Sequence, residues 1–128
     1  MLFIGNDGVV SLSAGNIDVF VCDGTEVTRH KGQSIFVGEG RLTNPEDIRT
    51  TIIPQNPNNK FYITSDGTHD QIGGEKSKQF GHDTFKRIIL ENHHEKQAVI
   101  SDKLWTAFEQ FRGRQERRDD IEPISFKL

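Results

Sequence analysis

Apolar positions in the first third of the chain fall in short alternating or clustered runs, at residues 9–13, 18–22 and 26–30, between turn signals at Ala14-Gly15-Asn16 and Asp23-Gly24. Runs of that length bounded by Gly and Asn predict strands, here an antiparallel meander. Beyond the break at Gly38-Glu39-Gly40, the β-branched run Thr50, Thr51, Ile52, Ile53 and the run at residues 60–64 flank a Pro- and Asn-rich turn. That pattern predicts a second hairpin. Residues 65–81 are polar, carry no sustained apolar period and predict a long loop. Asp83 is placed to cap a helix from Thr84 to about Asn92, with Phe85, Ile88 and Ile89 on one face. Ala98, Leu104, Trp105, Phe108 and Phe111 mark the apolar stripe of a second helix, which Gly113 is suited to stop. A final strand at residues 121–128 closes an α+β unit, two C-terminal helices packed on one face of an antiparallel sheet.

Composition narrows the class. With 128 residues the chain forms a single domain, residues 1–128, around one core. Its 33% hydrophobic and 27% charged residues, with nine Phe, are those of a globular chain rather than a disordered one. A net charge of -3 argues against broad nucleic-acid binding. The apolar run at residues 1–4 falls far short of the roughly 20 residues that span a bilayer, so no membrane partner and a cytoplasmic location are expected. Cys22 is the one cysteine, which excludes an internal disulfide and a cysteine-based zinc site and reads as a small core residue.

Two places suggest chemistry. Ser65-Asp66-Gly67-Thr68-His69-Asp70-Gln71 directly follows one predicted strand, and Asp119-Asp120 directly precedes the last. If those strands are neighbours, a carboxylate from each reaches a common magnesium or manganese ion, whose preference for hard oxygen ligands offsets the repulsion of the acids. On spacing alone an Asp-Gly pair is equally a turn, and paired acids are equally a solvated surface. His93-His94 are adjacent helical residues that diverge and read as a polar helix end. Arg112, Arg114 and Arg117 read as a solvated helix terminus favoured by its dipole, while Arg118, beside Asp119, stays open as a phosphate contact. Trp105, Phe108 and Phe111 read as core, and His69 as a solvent-facing loop residue without a role. Gly73-Gly74 lacks the Lys-Ser/Thr ending of a phosphate-cradling loop.

The segment 65–81, S-D-G-T-H-D-Q-I-G-G-E-K-S-K-Q-F-G, resembles the long motif of the SpoIIE-like branch of the PPM-type metal-dependent serine/threonine protein phosphatases. In that motif a strand, an Asp-Gly pair, Asp-Gln, Gly-Gly and Phe-Gly follow in order. Gln115-Glu116-Arg117-Arg118-Asp119-Asp120-Ile121 is similar to the Arg-Asp-Asp-hydrophobic signature before the family's last strand. Leu12-Ser13-Ala14-Gly15-Asn16 and His30-Lys31-Gly32 match more loosely.

The resemblance implies the distal half of an αββα sandwich with a pair of manganese or magnesium ions at one edge. A metal-activated water then attacks phosphoserine or phosphothreonine of a protein substrate, so no side chain is itself catalytic. Carried over by position, Asp66 and Asp119 are the metal ligands, and Gly67, Asp70 and Asp120 shape or support that edge. The family's remaining ligands belong to its N-terminal half, and neither Asp7-Gly8 nor Asp23-Gly24 has the neighbours they require. The chain alone is therefore expected to bind metal weakly or not at all and to have little or no activity, as part of a longer bacterial enzyme. The other reading is a catalytically silent module that binds a partner such as an anti-sigma-factor antagonist. Glu122 and Pro123 depart from the family pattern and suggest that the last strand is an edge or bulged. Uncovered sheet edges or helix faces imply self-association.

Overall fold

The computed structural model describes residues 2–5, 10–13, 17–33, 45–121 and 123–128. β1 (Leu2–Ile4), β2 (Val10–Ser13) and β5 (Thr50–Ile53) form an antiparallel sheet in the order β1-β2-β5. β3 (Asp18–Cys22), β4 (Val27–Lys31), β6 (Lys60–Thr64) and β9 (Ile124–Lys127) form a second, in the order β4-β3-β6-β9. Between β6 and β9 the chain forms α1 (Asp66–Asp70), a small hairpin of β7 (Ile72–Gly73) and β8 (Lys78–Gln79), α2 (Gly81–Glu91) and α3 (Gln97–Arg112).

Alternation along β3 and β6 produces the layering, because successive side chains leave a strand on opposite faces. Val19, Val21 and Phe61 meet Ile53 of the smaller sheet in one core, with Leu2, Ile63 and Phe126 packed around them. Phe20, Cys22 and Tyr62 face the other way, into a core closed by Phe85, Ile88 and Ile89 of α2 and Ile100, Leu104 and Phe108 of α3. All five residues of β3 are buried as a result. The α+β fold and its two C-terminal helices on one sheet face are as the sequence predicts, and Cys22 is a core residue.

Several local expectations are corrected. β2 leaves the predicted meander to pair with β1 and β5, so only β3 and β4 turn back on each other, around Asp23-Gly24. The second hairpin does not form: β5 joins β2, while β6 joins β3 and β9. The reason is burial, since Ile53 and Phe61 are needed on opposite sides of the inter-sheet core and the chain must cross between sheets. Residues 65–81 hold α1 and the β7-β8 hairpin instead of a loop.

α2 begins at Gly81, ahead of Thr84, and Asp83 sits in its first turn, where a carboxylate favours the positive end of the helix dipole. α3 does end at Gly113, whose φ of 57° is available to glycine at little cost. Trp105 is not core but 44% exposed. The last strand is shorter than residues 121–128, starts after Pro123 and lies at a sheet edge, where proline is tolerated. Asp7-Gly8, Ala14-Gly15-Asn16, Gly38-Glu39-Gly40 and Glu122 lie outside the described residues. Among the described residues no helix is long and apolar enough to cross a membrane.

Candidate functional site

β6 and β9 pair antiparallel with Ile63 opposite Ile124, so the chain leaving β6 meets the chain entering β9. Gly67 is buried there, and a Cβ on it would press into the Asp120 carbonyl and lie 3.1 Å from Asp119 Cβ. Glycine thus lets α1 rest directly on Asp119-Asp120. Ser65, at the N-cap of α1, makes no side-chain cap bond and instead donates its hydroxyl to the Asp120 carbonyl at 2.8 Å. Asp119 Oδ1 accepts the Asp120 backbone N–H at 2.8 Å. Asp66, Asp119 and Asp120 are exposed, and residues 117–121 line an open concavity. The structure therefore brings the Asp66-Gly67 pair and the Asp119-Asp120 pair to one edge of the sheet. Asp70, at the other end of α1, accepts a hydrogen bond from Gln79 Nε2 of β8 at 3.2 Å. Arg118 is exposed, and its backbone N–H, not its guanidinium, is bonded to Gln71.

Exposed carboxylates at one sheet edge fit a hard cation in donor chemistry. Among the described residues, however, no three His, Cys, Asp or Glu side chains converge in a form that would cage a metal.

Behind the edge lies a polar cluster that sequence reasoning missed. His69 is buried rather than solvent-facing. Its Nε2 is 3.1 Å from Thr64 Oγ1, a hydrogen bond whose donor follows the His69 tautomer, and the Thr64 hydroxyl also lies 2.8 Å from the Ser65 carbonyl. Its ring packs against Phe20, Phe85 and, 4.0 Å between centroids, His82. His82 Nε2 lies 3.6 Å from Asp18 Oδ2, which also receives the Arg29 guanidinium Nε at 2.7 Å. Burial, with the neighbouring His82, pushes the His69 pKa down to about 4, so its ring is neutral near pH 7. The His82 pKa is also lowered, by burial and then by Arg29.

Gln71 belongs to the motif, and its side chain is fully buried and bonded on both ends. Its signal in the sequence is a carboxamide inside a polar stretch, which by itself does not distinguish a buried from an exposed residue. Of the arginines read as a solvated terminus, Arg114 and Arg117 are exposed, with Arg117 5.2 Å over the Trp105 ring, whereas Arg112 is partly buried and bonds Glu109 at 2.7 Å. Phe108 is core, while Phe111 is partly buried against it.

The chain matches, over residues 4–127, the family model described as stage II sporulation protein E (SpoIIE). Its fold matches the "SiaA-PP2C domain of Pseudomonas aeruginosa" with a TM-score of 0.80 and 26% identity, covering 94% of this chain and 46% of that one. It also matches the phosphatase domain of the cell fate determinant SpoIIE from Bacillus subtilis, presoaked with Mn, with a TM-score of 0.72 and 17% identity, covering 100% of this chain and 55% of that one. The chain thus spans about half the length of these solved domains. No curated protein matches it.

Proposed function

We propose, from the premise that this chain belongs to the SpoIIE family of PPM-type phosphatases, that it supplies the distal half of a metal-dependent serine/threonine protein phosphatase. The observation that carries the reading is the placement of Asp66-Gly67 directly on Asp119-Asp120. Asp66 and Asp119 would hold manganese or magnesium at that edge, with Gly67, Asp70 and Asp120 shaping it. A metal so held lowers the pKa of a bound water and neutralises phosphoryl oxygens. This chain's own contribution is to present two carboxylates at fixed positions and, in Arg118, a guanidinium beside them suited to phosphate oxygens. The substrate is a phosphorylated regulatory protein of the bacterial cytoplasm, and the complete activity belongs to a longer assembly.

The test is titration calorimetry of the 128-residue chain with manganese, beside turnover of a phosphopeptide. Binding on the order of millimolar is expected for an open site with few charged ligands. It should vanish in both Asp66→Asn and Asp119→Asn, and turnover should be negligible. Manganese binding untouched by either substitution would remove the metal edge. Turnover abolished by Asp66→Asn would show instead that the chain is a complete enzyme. The absence of a three-ligand cluster among the described residues favours one second reading, a silent module that binds a protein such as an anti-sigma-factor antagonist. No manganese binding, with retained affinity for such a partner, would select it.

A further inference from the structure

We infer that Gln71 is the positioning residue that holds Asp119 at the candidate metal edge, an inference that rests on the reading of Asp66 and Asp119 as ligands. From Gly113 to Asp120 every residue is exposed, so the stretch that delivers Asp119 has no buried side chain to anchor it. Apart from the Arg117 guanidinium, which lies over Trp105 and 3.5 Å from Glu109, what ties this stretch to the body of the protein is hydrogen bonding to its backbone. Gln71 Nε2 donates to the Glu116 carbonyl at 2.9 Å, and Gln71 Oε1 accepts the Arg118 N–H at 3.3 Å. The second hydrogen of the amide goes to the Ile72 carbonyl at 2.9 Å. Meanwhile the Gln71 backbone carbonyl accepts the Phe80 N–H at 2.8 Å, which closes the hairpin leading to α2.

A fully buried carboxamide is costly unless both ends are bonded, and an apolar side chain of similar volume would fill the same space. Here the amide bonds are directed at the backbone on either side of Arg117, ending one residue before Asp119. Gln71 also immediately follows α1, the helix that begins with Asp66. One side chain therefore fixes the distance between the two elements carrying the carboxylates, with Ser65 adding a second tie at Asp120. Groups that orient ligands in this way typically alter metal affinity 10- to 100-fold, by roughly that range.

The inference is tested with Gln71→Met, which keeps the volume and removes the amide, and Gln71→Asn, which withdraws the amide by one methylene. Amide hydrogen exchange of the metal-free chain is the first readout. Exchange at Arg118, Asp119 and Asp120 should rise roughly tenfold in Gln71→Met, while the core strands β3 and β6 keep wild-type protection. Manganese calorimetry is the second, and affinity should fall roughly tenfold or more. If Gln71→Met does not fold, Gln71→Asn should show the same two changes to a smaller extent. Unchanged exchange at residues 118–120 overturns the inference, as does wild-type manganese affinity in a variant whose exchange has risen. Asp66→Asn separates the two readings, because it should abolish manganese binding yet leave exchange at residues 118–120 as in wild type. Wild-type protein that binds no manganese would bring down the metal reading, and the positioning role toward a metal with it, even where the exchange data show the clamp itself.

Discussion

His69 on α1 and His82 on α2 face each other with Thr64, Asp18 and Arg29 around them, and burial keeps His69 from carrying charge. Its folded pKa of about 4 lies below the ordinary histidine value of 6.5, so the unfolded chain takes up the proton first. The associated stability is complete above about pH 6.5 and is lost progressively as the pH falls toward 4, on the order of 3 kcal/mol in all. His82 is shifted in the same direction and adds to the loss. Urea unfolding of the wild type should therefore weaken between pH 6.5 and 4.5, and His69→Gln should flatten that slope. A wild-type midpoint independent of pH over this window would contradict it. Nothing around His69 in sequence announces this. A histidine between Thr and Asp in a polar stretch reads as exposed, because its burial is made by Phe20 and Phe85, which are distant along the chain. The motif that contains Asp66 and Asp119 is legible because its residues follow in order along the chain, whereas the bonds of Gln71 reach a segment 45 residues away.

Elements were readable in proportion to their length. α2 and α3, of 11 and 16 residues, show their apolar spacing plainly, and β3 and β6 were placed at their observed bounds. α1 has five residues, and β7 and β8 have two each, too few for any periodicity to emerge. These short pieces exist because neighbours hold them: Gly74 N–H bonds the Phe111 carbonyl at 3.1 Å, docking the hairpin on the end of α3. A related tie joins β6 to the α2–α3 connection, where the mostly buried Lys60 donates Nζ to the carbonyls of His93 and Glu95, each at 2.5 Å. Lys60→Met keeps the aliphatic stem and leaves both carbonyls without that partner. It should cost roughly 2 kcal/mol in urea unfolding and speed amide exchange in the α2–α3 connection. Stability equal to wild type would show that water or a rearranged turn replaces the ammonium.

At the scale of the molecule, the stack has one helix-covered face and one face that the described residues leave open. Phe3 and Ile52 are both paired with Ser11 of β2, which puts them in one row across the smaller sheet, at 62% and 66% exposure. Among the described residues β1 and β5 end that sheet, and β4 and β9 end the larger one. Apolar surface beside unpaired strand edges favours association, and we expect the isolated chain to self-associate. Light scattering at high micromolar concentration should give a mass above that of a monomer, reduced toward it by Phe3→Lys with Ile52→Lys. A strictly monomeric wild type would refute this. The sequence by itself determined α2 and α3, the β3 and β6 strands and the family motif, since each is encoded in residues close together along the chain. Which strands pair, the burial of His69 and the clamp at Gln71 were decided only by the tertiary structure. Those depend on two cores drawing on opposite faces of the same strands, and alternation within a strand shows that it has two faces without saying what covers either one.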